Sequence, residues 1–325
     1  MKLAILGAGM IVKDFLTMVG AIPEIELKAI VGTTRSIENL QNLKENYGIE
    51  AMYTDFDHCL TDNSFDTVYV ALPNHLHYAY AKKALEHGKN VICEKPFTLR
   101  LSELVELKEI AHANDLILIE AVTNQYLANY QAVKDALPKL GELKIIECNY
   151  SQYSSRYDAF KEGTILPAFD PKKGGGALMD INIYNIHFVV GLLGMPESVQ
   201  YKANVERGID TSGLLFLNYP NTKVVCIGAK DSASAIRSTI QGNQGSMIIN
   251  GPTSIINQVE LQVNKSEAQV IDQKLGEHRL YEEFWIFNQV IAAHDTKFAE
   301  RRLEHSLKVM EVVELALEDA GIQLG

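Results

Sequence analysis

The stretch that decides the fold is KLAILGAGM, residues Lys2 to Met10, at the amino terminus. Lys2 to Leu6 is a short apolar run typical of a buried strand, and Gly7-Ala8-Gly9 makes a turn. Met10 to Val19 then carries apolar residues at helical spacing, and Ile25 to Val31 is a second apolar run. This succession predicts a βαβ unit, from which doubly wound parallel sheets are built.

The same alternation continues through the first third of the chain. Further strands are predicted at Thr67 to Leu72, Asn90 to Cys93 and Leu116 to Glu120, and helices at Ile37 to Tyr47, Tyr78 to Glu86 and Ser102 to Ala113. We therefore predict an α/β domain over residues 1–122 with a doubly wound parallel sheet. Ligands of such sheets bind at the carboxyl ends of the strands.

The glycine turn after the first strand predicts a dinucleotide site. Glycines allow the backbone to approach a pyrophosphate, and the next helix supplies N–H groups and a positive dipole at its amino end. Val12 stands where the usual motif has a third glycine or alanine. A glycine-rich structural turn is the alternative. The residues predicted to contact the cofactor here are Gly7, Ala8, Gly9, Met10 and Ile11.

The segment after the second strand, VGTTRS, bears on the choice of cofactor. An acidic side chain at this point typically binds the ribose 2′-hydroxyl of NAD, whereas an arginine can bind the 2′-phosphate of NADP. Thr33 and Thr34 supply no charge and Arg35 supplies a positive one, so NADP is favoured over NAD. The alternative is a solvated surface arginine.

Two loops that follow strands should lie on the same rim of the sheet as the glycine turn. They are ALPNHLH and CEKPF, which follow the strands ending near residues 72 and 93. Packing of the loop is the alternative for Asn74 and His77. Contacts to the cofactor are predicted for six residues of these loops: Leu72, Pro73, Asn74, His77, Glu94 and Lys95.

Lys95 is the residue of these loops with catalytic potential. Its ammonium, beside the rigid Pro96, can position a substrate hydroxyl at a nicotinamide and assist its proton transfer. A solvent-facing Lys-Pro turn is the alternative. His75 and His77 have the spacing of two metal ligands, but no third and fourth ligand follow at suitable spacing, so no metal is predicted.

A second group of polar residues lies in GGGALMDINIYNIH, Gly174 to His187. At about 100° per residue, Asp180, Tyr184 and His187 fall on one stripe of a helix, apart from its apolar face. One interpretation is a polar helix face that is exposed to water and has no role in a site. The functional interpretation is one wall of a substrate site.

Beyond residue 122 the pattern changes to long extended runs joined by short turns such as YPNT and GNQG. These indicate antiparallel neighbours in a sheet. We expect Leu215, Leu217, Val225 and Ile227 to make at least one of its faces apolar. An uncovered apolar sheet invites a second copy, so a homo-oligomer, most simply a dimer, is predicted. The alternative is that these residues face the chain's own helices.

The charge and cysteine content of the chain bear on which other molecules it can bind. The net charge is -11, from 30 basic and 41 acidic residues, which gives little support for binding a phosphate backbone. No nucleic acid partner and no membrane partner are predicted. The four cysteines show no CxxC spacing, which favours free thiols and a cytoplasmic protein.

The combination of GAGMIV, PNHLH, the EKP triplet at 94–96 and GGGALMDINIY resembles the glucose-fructose oxidoreductase, inositol dehydrogenase and rhizopine-catabolism (Gfo/Idh/MocA) family. The resemblance extends to EHSLKVMEVVELALEDAG near the end of the chain. It implies a Rossmann domain at 1–122 and an α+β domain with a large, open, mainly antiparallel sheet at 123–325. It also implies NAD(P)-dependent hydride transfer on sugars, cyclitols or related diols.

The resemblance further implies roles for particular residues. The EKP lysine, Lys95 here, is a catalytic and cofactor-contacting group in such proteins. Their downstream D-x-G-x-H motif reads Asp180, Asn182 and Tyr184 here, and His187 replaces a usual aspartate. Tyrosine in place of histidine is similar to the NADP-using branch of glucose-fructose oxidoreductase and dimeric dihydrodiol dehydrogenase.

The predicted mechanism places Lys95 and Tyr184 at one nicotinamide, with a small polyol, sugar or diol as substrate. Tyr184 is the principal acid and base, Lys95 its electrostatic partner or the alternate base, and Asp180 the carboxylate that orients the substrate. His187 joins the substrate-binding group on the evidence of the helical stripe alone. A non-catalytic NAD(P)-binding sensor or regulatory protein of the same fold is the alternative function.

Overall fold

The computed structural model describes residues 1–325, which divide into two compact units. The first unit comprises Met1–Ala121 and His278–Ser306, and the second comprises Val122–Glu277 and Leu307–Gly325. Sequence reasoning assigned all of 123–325 to one domain, whereas residues 278–306 cluster with the first unit. They do so because the ring of Phe284 packs at 4.3 Å from Phe15 and 5.2 Å from Tyr69, measured between ring centroids.

The first unit contains a six-stranded sheet in the order β3-β2-β1-β4-β5-β6. All neighbouring strands are parallel, which confirms the predicted doubly wound sheet. Its strands are β1 (Lys2–Leu6), β2 (Glu26–Val31), β3 (Ala51–Tyr53), β4 (Thr67–Val70), β5 (Asn90–Glu94) and β6 (Leu118–Ala121). Its helices are α1 (Met10–Val19), α2 (Ile37–Tyr47), α3 (Phe56–Leu60), α4 (His77–Glu86) and α5 (Leu101–Ala113).

The second unit contains an eight-stranded sheet in the order β14-β13-β12-β11-β7-β10-β9-β8. Only β7 and β10 pair in parallel, so the predicted, mainly antiparallel sheet is confirmed. The strands are β7 (Leu143–Ser151), β8 (Ser198–Glu206), β9 (Ile209–Asn218), β10 (Lys223–Ala229), β11 (Arg237–Gly242), β12 (Gly245–Asn250), β13 (Val259–Val263) and β14 (Gln269–Ile271).

The remaining helices follow the division into units. The second unit contains α6 (Ala128–Ala136), α7 (Tyr157–Lys161) and α8 (Ile183–Leu193). α9 (Tyr281–Ala293) belongs to the first unit, and α10 (Thr296–Asp319) contributes residues to both.

Apolar side chains lie on both faces of the large sheet of the second unit. Leu215 and Leu217 are buried and point inward. Val225 and Ile227 lie on the other face, opposite Phe216 and Leu214 in the antiparallel register, because side chains alternate along a strand. The four sheet residues singled out from the sequence therefore belong to different faces.

One helical stretch, Pro171–Leu193, reaches the length and mean hydropathy of a membrane-spanning helix. Within the fold, 67% of its apolar window is buried, as in the core helix of a water-soluble fold.

Candidate active site

The glycine turn of the first unit connects β1 to α1, as predicted. Gly7 has φ +125°, and a side chain there would place its Cβ 2.3 Å from the carbonyl oxygen of Ala71, so only glycine fits. Gly9 stands at the N-cap of α1 without a side-chain cap, and a Cβ added to it would meet no atom within 4 Å. The start of α1 thus offers open, uncapped N–H groups, which fit a dinucleotide pyrophosphate.

Val12, which departs from the usual glycine motif, is fully buried in the core of the first unit. The predicted contact residues Gly7 to Ile11 form the turn and the first residues of α1, and Met10 is 70% exposed. Asn39 of α2 donates a hydrogen bond from Nδ2 to the carbonyl oxygen of Ala8 at 3.3 Å. This side chain supports the turn from outside the motif, and sequence reasoning missed it.

The segment predicted to determine the preference for NADP over NAD forms a short 3₁₀ turn, Thr34–Ser36, shortly after β2. Ser36 closes the turn: its hydroxyl donates to the carbonyl oxygen of Thr33 at 2.8 Å and accepts from the N–H of Thr33 at 3.0 Å. Thr33, Thr34 and Arg35 are exposed on this turn. Their placement at the end of a parallel strand suits the ribose end of a dinucleotide.

His77 is fully buried at the start of α4 and connects the two predicted cofactor loops. Its Nε2 lies 2.7 Å from the carbonyl oxygen of Leu72, and its Nδ1 lies 2.9 Å from that of Pro96. Burial lowers the pKa of His77. Because both ring nitrogens lie at hydrogen-bond distance from backbone carbonyls, the contacts of His77 favour the alternative of loop packing, and its contact with the cofactor stays a prediction. Leu72, Pro73 and Asn74 follow the end of β4, and their contacts with the cofactor stay a prediction.

Glu94, the second of these predicted contact residues, has a hydrogen-bond partner within the first unit. Its carboxylate accepts a hydrogen bond from the hydroxyl of Tyr69 at 2.6 Å, and burial raises its pKa. Three residues further along the chain, Phe97 donates its N–H to Oε1 of buried Glu120 at 3.0 Å. Glu120 in turn accepts from the hydroxyl of Ser306 at 2.6 Å.

Lys95 therefore stands in a loop that is fixed on both sides. The carboxylate of half-buried Glu94, which precedes it, accepts from Tyr69, and the carbonyl of Pro96, in a cis peptide bond with Lys95, lies 2.9 Å from Nδ1 of His77. Lys95 itself is half-buried at the carboxyl end of β5, as predicted. Glu120 and His77 are the supporting residues. Loop packing by His77 is the alternative given from the sequence, whereas the role of Glu120 depends on contacts distant along the chain and has no signal in the sequence.

In the second unit the segment with Asp180 and Tyr184 is not one continuous α-helix. Leu178–Asn182 forms a π-helical turn, and α8 follows it. The predicted stripe of Asp180, Tyr184 and His187 assumes a regular α-helix, so the π-helical turn changes the angle between Asp180 and the other two side chains. Single π-helical turns within helices are frequent at functional sites.

Asp180 and Tyr184 are both accessible in part. The side chain of Asp180 is 37% exposed and forms an ion pair with Lys230, with 2.7 Å between Oδ2 and Nζ. Tyr184 is half-buried, with its ring centroid 6.3 Å from that of Tyr150 on β7. His187, the third residue of the predicted stripe, is fully buried, so we leave it out of the proposed substrate site.

Two buried amides secure the backbone of α8 below these side chains. Asn124 donates from Nδ2 to the carbonyl oxygen of Tyr184 at 2.8 Å, and Gln125 donates from Nε2 to that of His187 at 2.9 Å. Both belong to the short 3₁₀ turn Thr123–Gln125. The position of Tyr184 thus depends on a side chain some sixty positions earlier in the chain.

Asp210 anchors the amino end of the π-helical turn. Its Oδ2 accepts hydrogen bonds from the N–H of Leu178 at 2.6 Å and from the hydroxyl of Tyr201 at 2.7 Å. Gly176 has φ +102°, and a Cβ there would lie 2.1 Å from Oδ1 of Asp210. Complete burial raises the pKa of Asp210 to about 6, and the two hydrogen bonds oppose that rise.

Asp210 is expected to make stability depend on pH between about pH 4 and pH 7. The native state holds the Asp210 proton more tightly than the unfolded chain does, so this contribution is complete below the unfolded pKa and is lost as pH rises through the native one. Relative to Asp210→Asn, the free energy of unfolding of the wild type should fall by about 3 kcal/mol over this range. Denaturant titrations at several pH values measure it, and parallel curves for the two proteins would contradict it.

No group of three or more His, Cys, Asp or Glu side chains is arranged to hold a metal ion. The four cysteines are free and buried.

Two family models match the chain. The first, described as an oxidoreductase family with an NAD-binding Rossmann fold, matches residues 1–122, and the second, the GFO/IDH/MocA C-terminal domain, matches residues 130–248. The chain belongs to the GFO/IDH/MocA oxidoreductase family. This confirms the resemblance inferred from the sequence, and it makes the first unit an NAD-binding Rossmann domain of an oxidoreductase.

Similar proteins are known from several organisms. The scyllo-inositol 2-dehydrogenase (NADP(+)) of Bacillus subtilis is 32% identical over 99% of this chain and 97% of its own length. A trans-1,2-dihydrobenzene-1,2-diol dehydrogenase of Xenopus tropicalis is 26% identical over 82% of this chain and 80% of its own length.

Solved structures share the fold at lower identity. A 3-ketoreductase from Actinomadura kijaniata, in complex with NADP and TDP-benzene, superposes with a TM-score of 0.84 and 21% identity. It covers 99% of this chain and 98% of its own. An aldose-aldose oxidoreductase from Caulobacter crescentus gives a TM-score of 0.82 at 21% identity over 99% of this chain and 97% of its own.

Proposed function

We propose that this oxidoreductase transfers a hydride between NADP(H) and a secondary hydroxyl or carbonyl group of a cyclitol, sugar or related diol. The observation that carries the proposal is the end-to-end similarity to an NADP(+)-dependent scyllo-inositol 2-dehydrogenase, at 32% identity over 99% of the chain. The dihydrodiol dehydrogenase similarity supports vicinal diols as the substrate class.

The chain has residues suited to the proposed cofactor. The open start of α1 at Gly9 takes the pyrophosphate, and the exposed Thr33, Thr34 and Arg35 take the ribose and its 2′-phosphate. The bound nicotinamide supplies the hydride acceptor or donor. The chain itself must bind and orient the substrate and move one proton.

We assign the proton to Tyr184, whose phenol is half-buried on α8. Free tyrosine and lysine side chains titrate about three units above neutral pH, so a neighbouring cation must favour the phenolate. We assign that positive charge to Lys95. Asp180 accepts hydrogen bonds from the substrate hydroxyls and orients them.

The test is turnover of purified protein on a panel of cyclitols, aldoses and diols with NADP+ and with NAD+, followed by the absorbance of the reduced nicotinamide. We expect oxidation of at least one cyclitol or sugar, with a higher kcat/KM for NADP+ than for NAD+. Binding of NADP without turnover on any member of the panel would contradict the proposal.

Arg35 is expected to determine the cofactor preference. Replacing it with Ala removes a charged hydrogen-bond donor from the proposed 2′-phosphate site, which should raise the Kd for NADP by about 10- to 100-fold. The Kd for NAD, which lacks this phosphate, serves as the control and should not change. Fluorescence titration of both dinucleotides measures the two values, and an unchanged Kd for NADP would exclude Arg35 from this role.

We further propose that the chain forms a homo-oligomer, most simply a dimer, through the outer face of the eight-stranded sheet. That face carries Leu214 and Phe216, each 40% exposed, and Ile145, 47% exposed. Exposed apolar sheet surface of this kind is commonly covered by a second copy. Sedimentation analysis at micromolar concentration that gave the mass of a single chain would contradict this proposal.

A further inference from the structure

Lys230 is a buried lysine that the proposed function leaves unexplained. It directly follows β10, and its side chain is only 3% exposed. Its ammonium makes an ion pair with Asp180 at 2.7 Å and donates a hydrogen bond to the carbonyl oxygen of Ala168 at 2.6 Å. The same ammonium lies 4.4 Å from the ring centroid of Phe169.

The backbone of Lys230 is fixed as firmly as its side chain. Its N–H donates to the carbonyl oxygen of Thr211 at 2.8 Å, and its own carbonyl accepts from the N–H of Ser154 at 2.8 Å. The ammonium therefore starts from a rigid strand end. The ammonium contacts two segments outside the sheet: the π-helical turn with Asp180 and the turn Pro167–Phe169.

A buried ammonium is costly unless a carboxylate and further acceptors replace its water. The contacts of Lys230 satisfy that requirement, and they act on Asp180 in return. A charge-assisted hydrogen bond of this length restricts the rotation of the carboxylate. Because the side chain of Asp180 is 37% exposed, a substrate can still reach it.

We propose that Lys230 is a positioning residue that holds Asp180 in the orientation needed to bind the substrate hydroxyls. The inference rests on the proposed function and extends it to the substrate class. Asp180 and Lys230 together carry no net charge, so this part of the site suits an uncharged polyol. The Pro167–Phe169 turn, joined to the same ammonium through Ala168, forms part of the border of the substrate site.

Lys230→Met tests this inference, with Lys230→Gln as a milder variant that keeps a hydrogen-bond donor. Loss of the ammonium removes the charge-assisted hydrogen bond that restricts the rotation of Asp180, which should weaken binding of the substrate hydroxyls. We expect kcat/KM for the polyol to fall by about 10- to 100-fold, mainly through KM. The Kd for NADP should stay within about twofold, because Lys230 acts on the substrate side only.

Lys161→Met is the matched control. Lys161 makes an ion pair with Asp158 at 2.9 Å and lies over the rings of Tyr153 and Tyr157, but its side chain is 49% exposed. Lys161→Met therefore loses an ion pair and cation–π contacts, as Lys230→Met does, but at a position half exposed to solvent. Its kcat/KM should match the wild type.

The decisive comparison is a double-mutant cycle with Asp180→Asn. If Lys230 acts through Asp180, adding Lys230→Met to Asp180→Asn should lower kcat/KM by less than about threefold more. Losses that multiply, or full activity of both Lys230 variants, would overturn the inference and leave the proposed function intact. A wild type inactive on every polyol would overturn both together, so the two failures are distinguishable.

Discussion

Replacement of Tyr184 by Phe is expected to lower kcat by about two to four orders of magnitude, the usual contribution of a positioned acid or base. The variant keeps the ring and its packing near Tyr150 and loses only the hydroxyl. If the phenol acts in the transition state alone, kcat and kcat/KM should fall equally while the Kd for NADP stays constant. Steady-state kinetics on the substrate identified from the panel measure all three values.

Tyr219→Phe is the matched control for this variant. The hydroxyl of Tyr219, also in the second unit, donates to the carbonyl oxygen of Gly194 at 2.8 Å. The same chemical change there removes a structural hydrogen bond and should leave kcat within about threefold of the wild type while lowering stability by about 1 kcal/mol. Full activity of Tyr184→Phe would remove Tyr184 from the mechanism.

Replacement of Lys95 by Met is expected to lower kcat by about two to three orders of magnitude, because preorganised charge at a developing oxyanion is worth that much. The loop around it should persist in the variant. His77, Glu120 and Tyr69 hold that loop through contacts that do not involve the Lys95 side chain. A melting temperature close to that of the wild type should therefore accompany the loss.

Lys89→Met provides the comparison for Lys95. Lys89 stands just before β5, at the opposite end of the same strand, and its ammonium donates to the carbonyl oxygen of Phe65 at 2.9 Å. It is buried, so its loss should reduce stability. Its kcat should remain near that of the wild type. Equal losses of kcat in the two lysine variants would indicate a general effect of disturbing β5 rather than a role for Lys95.

Much of the first unit could be predicted because strands of a parallel sheet are continuous apolar runs between amphipathic helices. β1 and α1 match their predicted bounds. The short elements β3 and α3, of three and five residues, carry too few residues to show any periodicity. The return of α9 to the first unit depends on the packing of Phe284, for which the local sequence has no signal.

The residues that we propose to act directly have a signal in the local sequence, whereas the residues that we propose to act through them do not. Lys95, Asp180 and Tyr184 belong to local motifs, so their segments could be recognised. Lys230 directly follows β10 and Asp210 is the second residue of β9, and only their burial and their distant partners distinguish them from ordinary surface residues. A lysine directly after the apolar strand VVCIGA was the one available signal.

Two residues of the predicted cofactor loops have hydrogen-bond partners within the fold. The partners are backbone carbonyls for His77 and the Tyr69 hydroxyl for Glu94. A motif shows which segment reaches a ligand. It does not show which of its side chains point toward the ligand and which secure the loop.

We propose that Lys95 and Tyr184 serve one proton transfer on one substrate hydroxyl. The most direct test is a double-mutant cycle on kcat with Lys95→Met and Tyr184→Phe. If the two residues act as a unit, the double variant should lose no more than about tenfold beyond the more damaging single variant. A double variant whose loss equals the product of the two single losses would show that they act independently, and would contradict the account.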